Sequence, residues 1–396
     1  MNEPGGTRHH ELARYLAGRG HRVTVITSRV SYLTGSTLTP SDSSVHSPPA
    51  HDEETNIRVL RVHTYQALHR SFVHRVFAFV SFMSASFFAG LRLKKVDLVW
   101  GTSPPIFQGL TAWALARLKG EPFLFEVRDL WPTFAIAVGV LKNPWLIKIS
   151  LWLESFLYSH ADRVVVNSPG YVAHVTGRGA KRVELVPNGA DPAMFDPADE
   201  GAGFRASNRL EGKFVVLYAG AHGMSNDLGV ALDAAGLLQT QAPLARIVFL
   251  GDGKEKPALQ KRAESLGLNN VLFLPPLAKS GMAAALAGAD ACLAILKPVE
   301  EYKTTYPNKV FDYMAAGRPV VLAIDGVIRE VVEAAGCGLF AEPGDPAALA
   351  EAVCKLAADK AVSRRMGLAG RAYLEEHFKR SATAEKLTGI MEAMAR

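Results

Sequence analysis

"TYPNKVFDYMAAGRPVVLA", residues 305–323, passes from a polar turn through a short helical stretch into an apolar run. Asn308, Lys309 and Asp312 crowd the start of that helix, and Gly317, Arg318 and Pro319 stop it before the strand begins. A helix N-terminus offers unpaired amide N–H groups and the positive end of a dipole, which suits a phosphate. Lys309 adds a full positive charge, and Asp312, one turn on, can accept hydrogen bonds from a ribose. An ordinary helix–strand junction has the same outline, so the surrounding pattern must decide.

Working outward, apolar runs alternate with helical segments along the whole chain. In the second half they are 214–220, 245–253, 271–277, 291–296, 319–324 and 338–343. In the first half they are 21–27, 57–62, 96–102, 123–129, 163–168 and 182–189. Continuous apolar strands separated by helices predict parallel sheets buried on both faces. Each half then reads as a doubly wound α/β domain, with ligands beyond the carboxyl ends of its strands. The break falls in "PNGADPAMFDPADEGAGF", residues 187–204, giving domains of 1–190 and 191–396. The segment 31–56 reads as a long polar loop. The chain opens inside a glycine turn, "EPGGTRHHELARYLAGRGH", with no strand before it, which we read as a late start.

Two further glycine turns follow strands of the second half. "LYAGAHG" carries Gly220, His222 and Gly223, and "FLGDGKEK" carries Gly251, Gly253 and Lys254. Several such turns at strand ends in one domain point together to a nucleotide. In the first half "FEVRDLWP" ends a strand with Arg128 and Asp129, which would face the cleft unless Asp129 merely caps a helix.

The 396 residues carry a net charge of +6. Residues 1–195 hold 21 Lys+Arg against 14 Asp+Glu, so the first half carries the whole excess and suits an anionic partner. Residues 76–91 are uncharged and flanked by Arg70, Arg75, Arg92, Lys94 and Lys95. Sixteen residues fall short of the ~20 needed to span a bilayer. The stretch reads as a helix packed on the sheet, or one whose basic, aromatic edge rests on an anionic membrane. The three cysteines, Cys292, Cys337 and Cys354, are too scattered for a disulfide framework or zinc site, which fits a cytoplasmic protein. No cluster of residues with metal-ligand spacing and no basic–aromatic strip for nucleic acid is present in the sequence.

In order and spacing, "RDLWP", "VPNGADPAMFDP", "LYAGAHG", "FLGDGKEK", "NVLFLPPL" and "PNKVFDYMAAGRPVV" resemble the retaining glycosyltransferases of family 4, and among them the WbuB-like polysaccharide-biosynthesis branch. The resemblance implies a GT-B fold: two Rossmann-like domains facing across a cleft, the last helix crossing back to the first. It implies a nucleotide-diphosphate sugar donor, UDP-linked, and a lipid-linked saccharide acceptor in O-antigen or exopolysaccharide assembly at the inner membrane face. No cofactor, metal or nucleic acid is implied. Gly5 and Gly6 match the N-terminal glycine loop near donor and acceptor. Gly220, His222 and Gly223 match the turn near the diphosphate, and Asn308 and Lys309 a pair that contacts it. Asp312 matches the second Glu of the E-x7-E motif, which holds the ribose. Arg128 stands where the family often has His, and Asp129 follows it as a cleft carboxylate on the acceptor side, so Asp129 and Lys309 are the expected catalytic pair. Thr304 stands at the first Glu of the motif, with Glu300 and Glu301 just upstream. Two other readings stay open at this point: a UDP-sugar epimerase of the same fold, and a non-catalytic sugar-nucleotide-binding subunit.

Overall fold

The computed structural model describes residues 8–30, 56–66 and 72–395. Gly5, Gly6, Arg70 and most of the 31–56 segment lie outside the described residues, as do the side chains of Phe72, Val73 and Arg75. The apolar runs form twelve strands among the described residues: β1 Val23–Ser28, β2 Ile57–Val62, β3 Val99–Ser103, β4 Phe123–Val127, β5 Arg163–Val166, β6 Val183–Leu185, β7 Phe214–Ala219, β8 Ala245–Leu250, β9 Val271–Leu274, β10 Ala291–Ile295, β11 Val320–Ala323 and β12 Gly338–Phe340. Every pairing between them is parallel.

The second-half sheet runs β12-β11-β10-β7-β8-β9. Its strand order reverses between β7 and β10, where a crevice opens at the carboxyl ends. All residues of β7, β10 and β11 are buried, which is why these runs show no alternation of apolar and polar side chains. One apolar cluster lies on each face of the sheet, one built around Leu217, Phe311 and Met314, the other around Phe249, Leu232 and Val353. In the first half β3-β4-β5-β6 form one sheet and β1-β2 a separate pair.

The last helix, Arg380–Met394, leaves the second unit and packs on the first. Its Leu387, Ile390 and Met391 join Leu12 and Leu16 of the helix Arg8–Gly18 and Leu124 of β4 in one core. The crossing is fixed where Arg380 N–H donates to Ala190 O at 2.9 Å. No helix among the described residues is long and apolar enough to cross a membrane.

Candidate active site

Beside the switch point, the glycine turns that follow β7 and β8 are laid against each other. Gly251 and Gly253 have φ of 150° and 159°. A Cβ on Gly251 would fall on Gly220 O, and one on Gly253 on the His222 backbone. Only glycine permits this close approach. Hydrogen bonds lock the stack: Gly220 N–H donates to Leu250 O at 3.0 Å, and His222 N–H to Asp252 O at 2.8 Å. Lys256 Nζ caps it, donating to Gly251 O at 2.7 Å and Leu274 O at 2.9 Å.

His222 turns inward. Its ring is fully buried among Tyr218, Phe249 and Phe273, with centroids 6.0–6.2 Å away. Neither ring nitrogen has a hydrogen-bond partner among the described residues. Burial, reinforced by Lys256, pushes the imidazole down to about 4, so it stays neutral. The backbone of the turn, rather than this side chain, is the part left open to a ligand.

The helix Asn308–Ala315 enters the crevice from the β10 side. Lys309 sits in its first turn, half-buried, with Nζ 3.9 Å from the Tyr218 ring centroid. A Cβ on Gly220 would come within 2.9 Å of that Nζ, so the lysine occupies the notch the glycine leaves. No carboxylate of the described residues pairs with it. Loss of hydration brings its amine down to about 7. Asp312, by contrast, is engaged: Lys279 Nζ lies 3.2 Å from one carboxylate oxygen and Asn308 Nδ2 3.4 Å from the other. Burial raises the Asp312 carboxyl and Lys279 opposes the rise. The carboxylate keeps acceptor capacity for a further donor such as a ribose hydroxyl. Lys279, the first residue of the helix Lys279–Ala287, escaped the sequence reading because nothing in "PPLAKSG" links it to Asp312.

Across the crevice, Arg128 and Asp129 follow β4. Arg128 N–H donates to Ser103 O at 3.0 Å, and its Nε is buried with no partner among the described residues. Asp129 keeps one side open to solvent; protein packed on its other side pushes its carboxyl up to about 6 against the pull of Arg128. Tyr171 of the first domain and Tyr302 of the second both feel its charge, which places it where the domains meet.

That meeting is a seam of hydrogen bonds. Ser168 Oγ donates to Thr304 O at 2.5 Å, the Tyr171 hydroxyl lies 3.1 Å from Thr305 Oγ1, and Asn188 Nδ2 donates to Tyr306 O at 2.9 Å. Thr304 therefore spends its backbone on the interface, and its hydroxyl donates back to Glu301 O at 2.6 Å. Glu300 is turned to solvent and pairs with Lys303 at 2.8 Å.

The sequence reading also missed the charged cluster under the first domain's edge. Glu126 is fully buried on β4, with Arg8 Nε at 2.9 Å, His9 Nε2 at 2.7 Å and Thr102 Oγ1 at 3.2 Å. The remaining Arg8 nitrogens donate to Pro187 O and Val186 O, both at 3.0 Å. The signal was present: Glu126 is a lone acid inside an otherwise apolar strand, and a buried carboxylate must find a cation.

Two family models cover most of the chain in tandem. Residues 5–189 match a "glycosyl transferase 4-like domain" and residues 213–359 match "glycosyl transferases group 1". The chain is a GT4-type glycosyltransferase of the GT-B fold. The glycosyl transferase WcaI of Escherichia coli (strain K12), named for colanic acid biosynthesis, is 24% identical over 80% of this chain and 78% of that one. The D-inositol 3-phosphate glycosyltransferase of Streptomyces avermitilis is 28% identical over 78% of this chain and 68% of its own. Among solved structures, sucrose-phosphate synthase from Thermosynechococcus elongatus superposes with a TM-score of 0.76 at 20% identity, covering 99% of this chain and 95% of that chain. Anabaena HepE in complex with UDP and glucose gives 0.75 at 16% identity, covering 99% and 97%.

Proposed function

We propose that this glycosyltransferase moves a hexose or aminosugar from a UDP-linked donor to a lipid-linked saccharide, with retention of anomeric configuration, in cell-surface polysaccharide assembly. The carrying observation is Lys309: a half-buried ammonium with no carboxylate partner among the described residues, set beside two stacked glycine turns at the switch point of the sheet. A diphosphate laid there would receive one full positive charge, the amides of the Gly220 turn and the N-terminus of the helix Asn308–Ala315. Charge develops on the leaving diphosphate in the transition state, so these groups act when they are needed. Asp312, already oriented by Lys279, would take the ribose. Asp129 would sit on the acceptor side, and the seam at Thr304 would hold the domains closed against water. This scheme invokes no metal. The UDP assignment draws support from the nucleotide seen with HepE, and the saccharide assignment from the name of WcaI.

Thermal unfolding with UDP-, GDP- and ADP-sugars tests the donor. A ligand of the folded state raises the melting temperature by mass action. We expect a shift with a UDP-sugar alone, insensitive to EDTA and absent in Lys309→Ala and Asp312→Ala. No shift with any donor, or an undiminished shift in both variants, would sink this reading.

A further inference from the structure

The outer face of the first domain carries an apolar surface that sugar transfer does not use. Three helices lie there side by side: Phe72–Leu91, Phe107–Lys119 and Pro144–His160. The Phe79 ring meets Phe107 at 5.6 Å, and the Phe156 ring meets Trp113 at 4.8 Å, so the middle helix touches both neighbours. The ends of the first two are tied where Lys119 Nζ donates to Leu93 O at 2.6 Å.

On the outward side of the first helix, Phe77, Val80, Ser84, Phe88 and Leu91 recur at steps of three and four, one stripe of a helix. Phe77 is 59% and Phe88 58% exposed. On the third helix Trp145, Ile149 and Trp152 form a matching stripe, with Trp145 73% and Trp152 62% exposed. Water-facing helix surfaces ordinarily carry charge at such positions, and large contiguous apolar patches mark an interaction site.

The rim identifies the occupant. Exposed Arg92, Lys94 and Lys95 stand at one end of the helices, and exposed Lys142 and Lys148 at the other. Residues 72–160 contain nine Lys+Arg against five Asp+Glu, and two of those acids, Glu126 and Glu154, are fully buried. Exposed Trp and Phe inside a cationic border match the interface of an anionic bilayer, where rings sit among headgroups and cations meet phosphates. A second copy fits less well, because a two-fold axis through the patch would bring cationic rims towards each other.

We propose that this three-helix face docks on an anionic phospholipid surface, Phe77, Phe88, Trp145 and Trp152 entering the headgroup layer while the Lys and Arg rim contacts lipid phosphates. The surface would hold the cleft near a lipid-linked acceptor, so its purpose, though not its chemistry, rests on the preceding reading.

The test is co-sedimentation of the full chain with vesicles of pure phosphatidylcholine and of phosphatidylcholine with phosphatidylglycerol. Binding to the anionic vesicles alone, weakened by added salt, is expected. Phe88→Ser/Trp145→Ser/Trp152→Ser should weaken it at least about tenfold. Arg92→Glu/Lys94→Glu/Lys95→Glu should weaken it about a hundredfold. Both variants should keep the UDP-sugar thermal shift of the parent, which shows the fold intact. Failure to bind vesicles, binding unchanged in both variants, or a dimer that the aromatic variant abolishes would overturn the proposal. Loss of the donor shift in the parent, with vesicle binding retained, would remove the donor reading and leave this one standing.

Discussion

At the carboxyl end of β4, Glu126 is fully buried and meets Arg8, His9 and Thr102; beyond the end of β7, Lys309 is half-buried and meets only the face of Tyr218. Both are ionisable groups drawn out of water at the edge of the same cleft. Burial alone would raise the Glu126 carboxyl, but His9 and Arg8 outweigh it and hold it well below the usual carboxylate range. No carboxylate offsets burial at Lys309, whose amine falls to about 7. The first cluster spends its hydrogen bonds inside the protein, so it builds structure. The second keeps an unspent charge at a sheet's switch point, so it waits for an anion.

The largest effect is expected where that contrast is removed from the structural side. Glu126→Gln leaves Arg8 charged, buried and short of its anion. Breaking a buried pair in this way destabilises by about 3–5 kcal/mol. Urea unfolding of the variant checks this. A loss below about 1 kcal/mol would mean the cluster is solvated in solution, and the comparison with Lys309 would lose one arm. The stabilisation from Glu126 exists above the ordinary carboxylate range and is lost as pH falls, because its folded-state carboxyl is held low.

Glu126 and Lys309 also differ in how far the sequence revealed them. Parallel strands, glycine turns and the Lys309 helix are local patterns: a run of apolar residues or a glycine after a strand is visible within ten positions. Gly220, Gly251, Gly253 and Lys309 converge as that grammar implies. The partners of Glu126 and Asp312 are long-range. Arg8 lies 118 residues from Glu126, and Lys279 lies 33 from Asp312. No spacing rule joins such pairs, since the topology of the sheet brings them together. His222 shows a third limit. The sequence places it in a glycine turn but says nothing of where its ring goes, and the stacked turns press that ring into an aromatic nest.

A smaller effect should appear at the seam that joins the two edges. Gly170 packs against Thr304, where an added Cβ would come within 2.5 Å of Thr304 Cα and O. Backbone atoms cannot turn aside as a side chain can. Gly170→Ala should therefore prise the 302–306 segment from the first domain, at a cost of about 1–3 kcal/mol. Because that segment leads directly into Asn308 and Lys309, the variant should lose transfer while still binding UDP. Measuring donor hydrolysis alongside transfer sharpens the point: a wetter, looser cleft raises the ratio of hydrolysis to transfer. An unchanged ratio would assign the seam to folding alone.

The smallest effect is a titration, and it separates the two cleft edges most cleanly. With its amine near 7, Lys309 is largely protonated below that pH and largely neutral above it. A bound diphosphate favours the charged form, so above pH 7 binding must take up a proton. UDP affinity should then fall by up to about tenfold per pH unit above 7. Calorimetry in buffers of different ionisation enthalpy would register that proton directly. The stability of the unliganded protein should move the other way. The unfolded chain binds more protons than the folded one between pH 7 and the ordinary lysine range, so the contribution of Lys309 to folding becomes less unfavourable as pH rises there. Replacing Lys309 by Arg keeps the charge throughout and should flatten both trends. If UDP affinity is flat from pH 6 to 9 in the parent, the ammonium is not desolvated in solution, and the unspent charge that distinguishes this edge from Glu126 disappears.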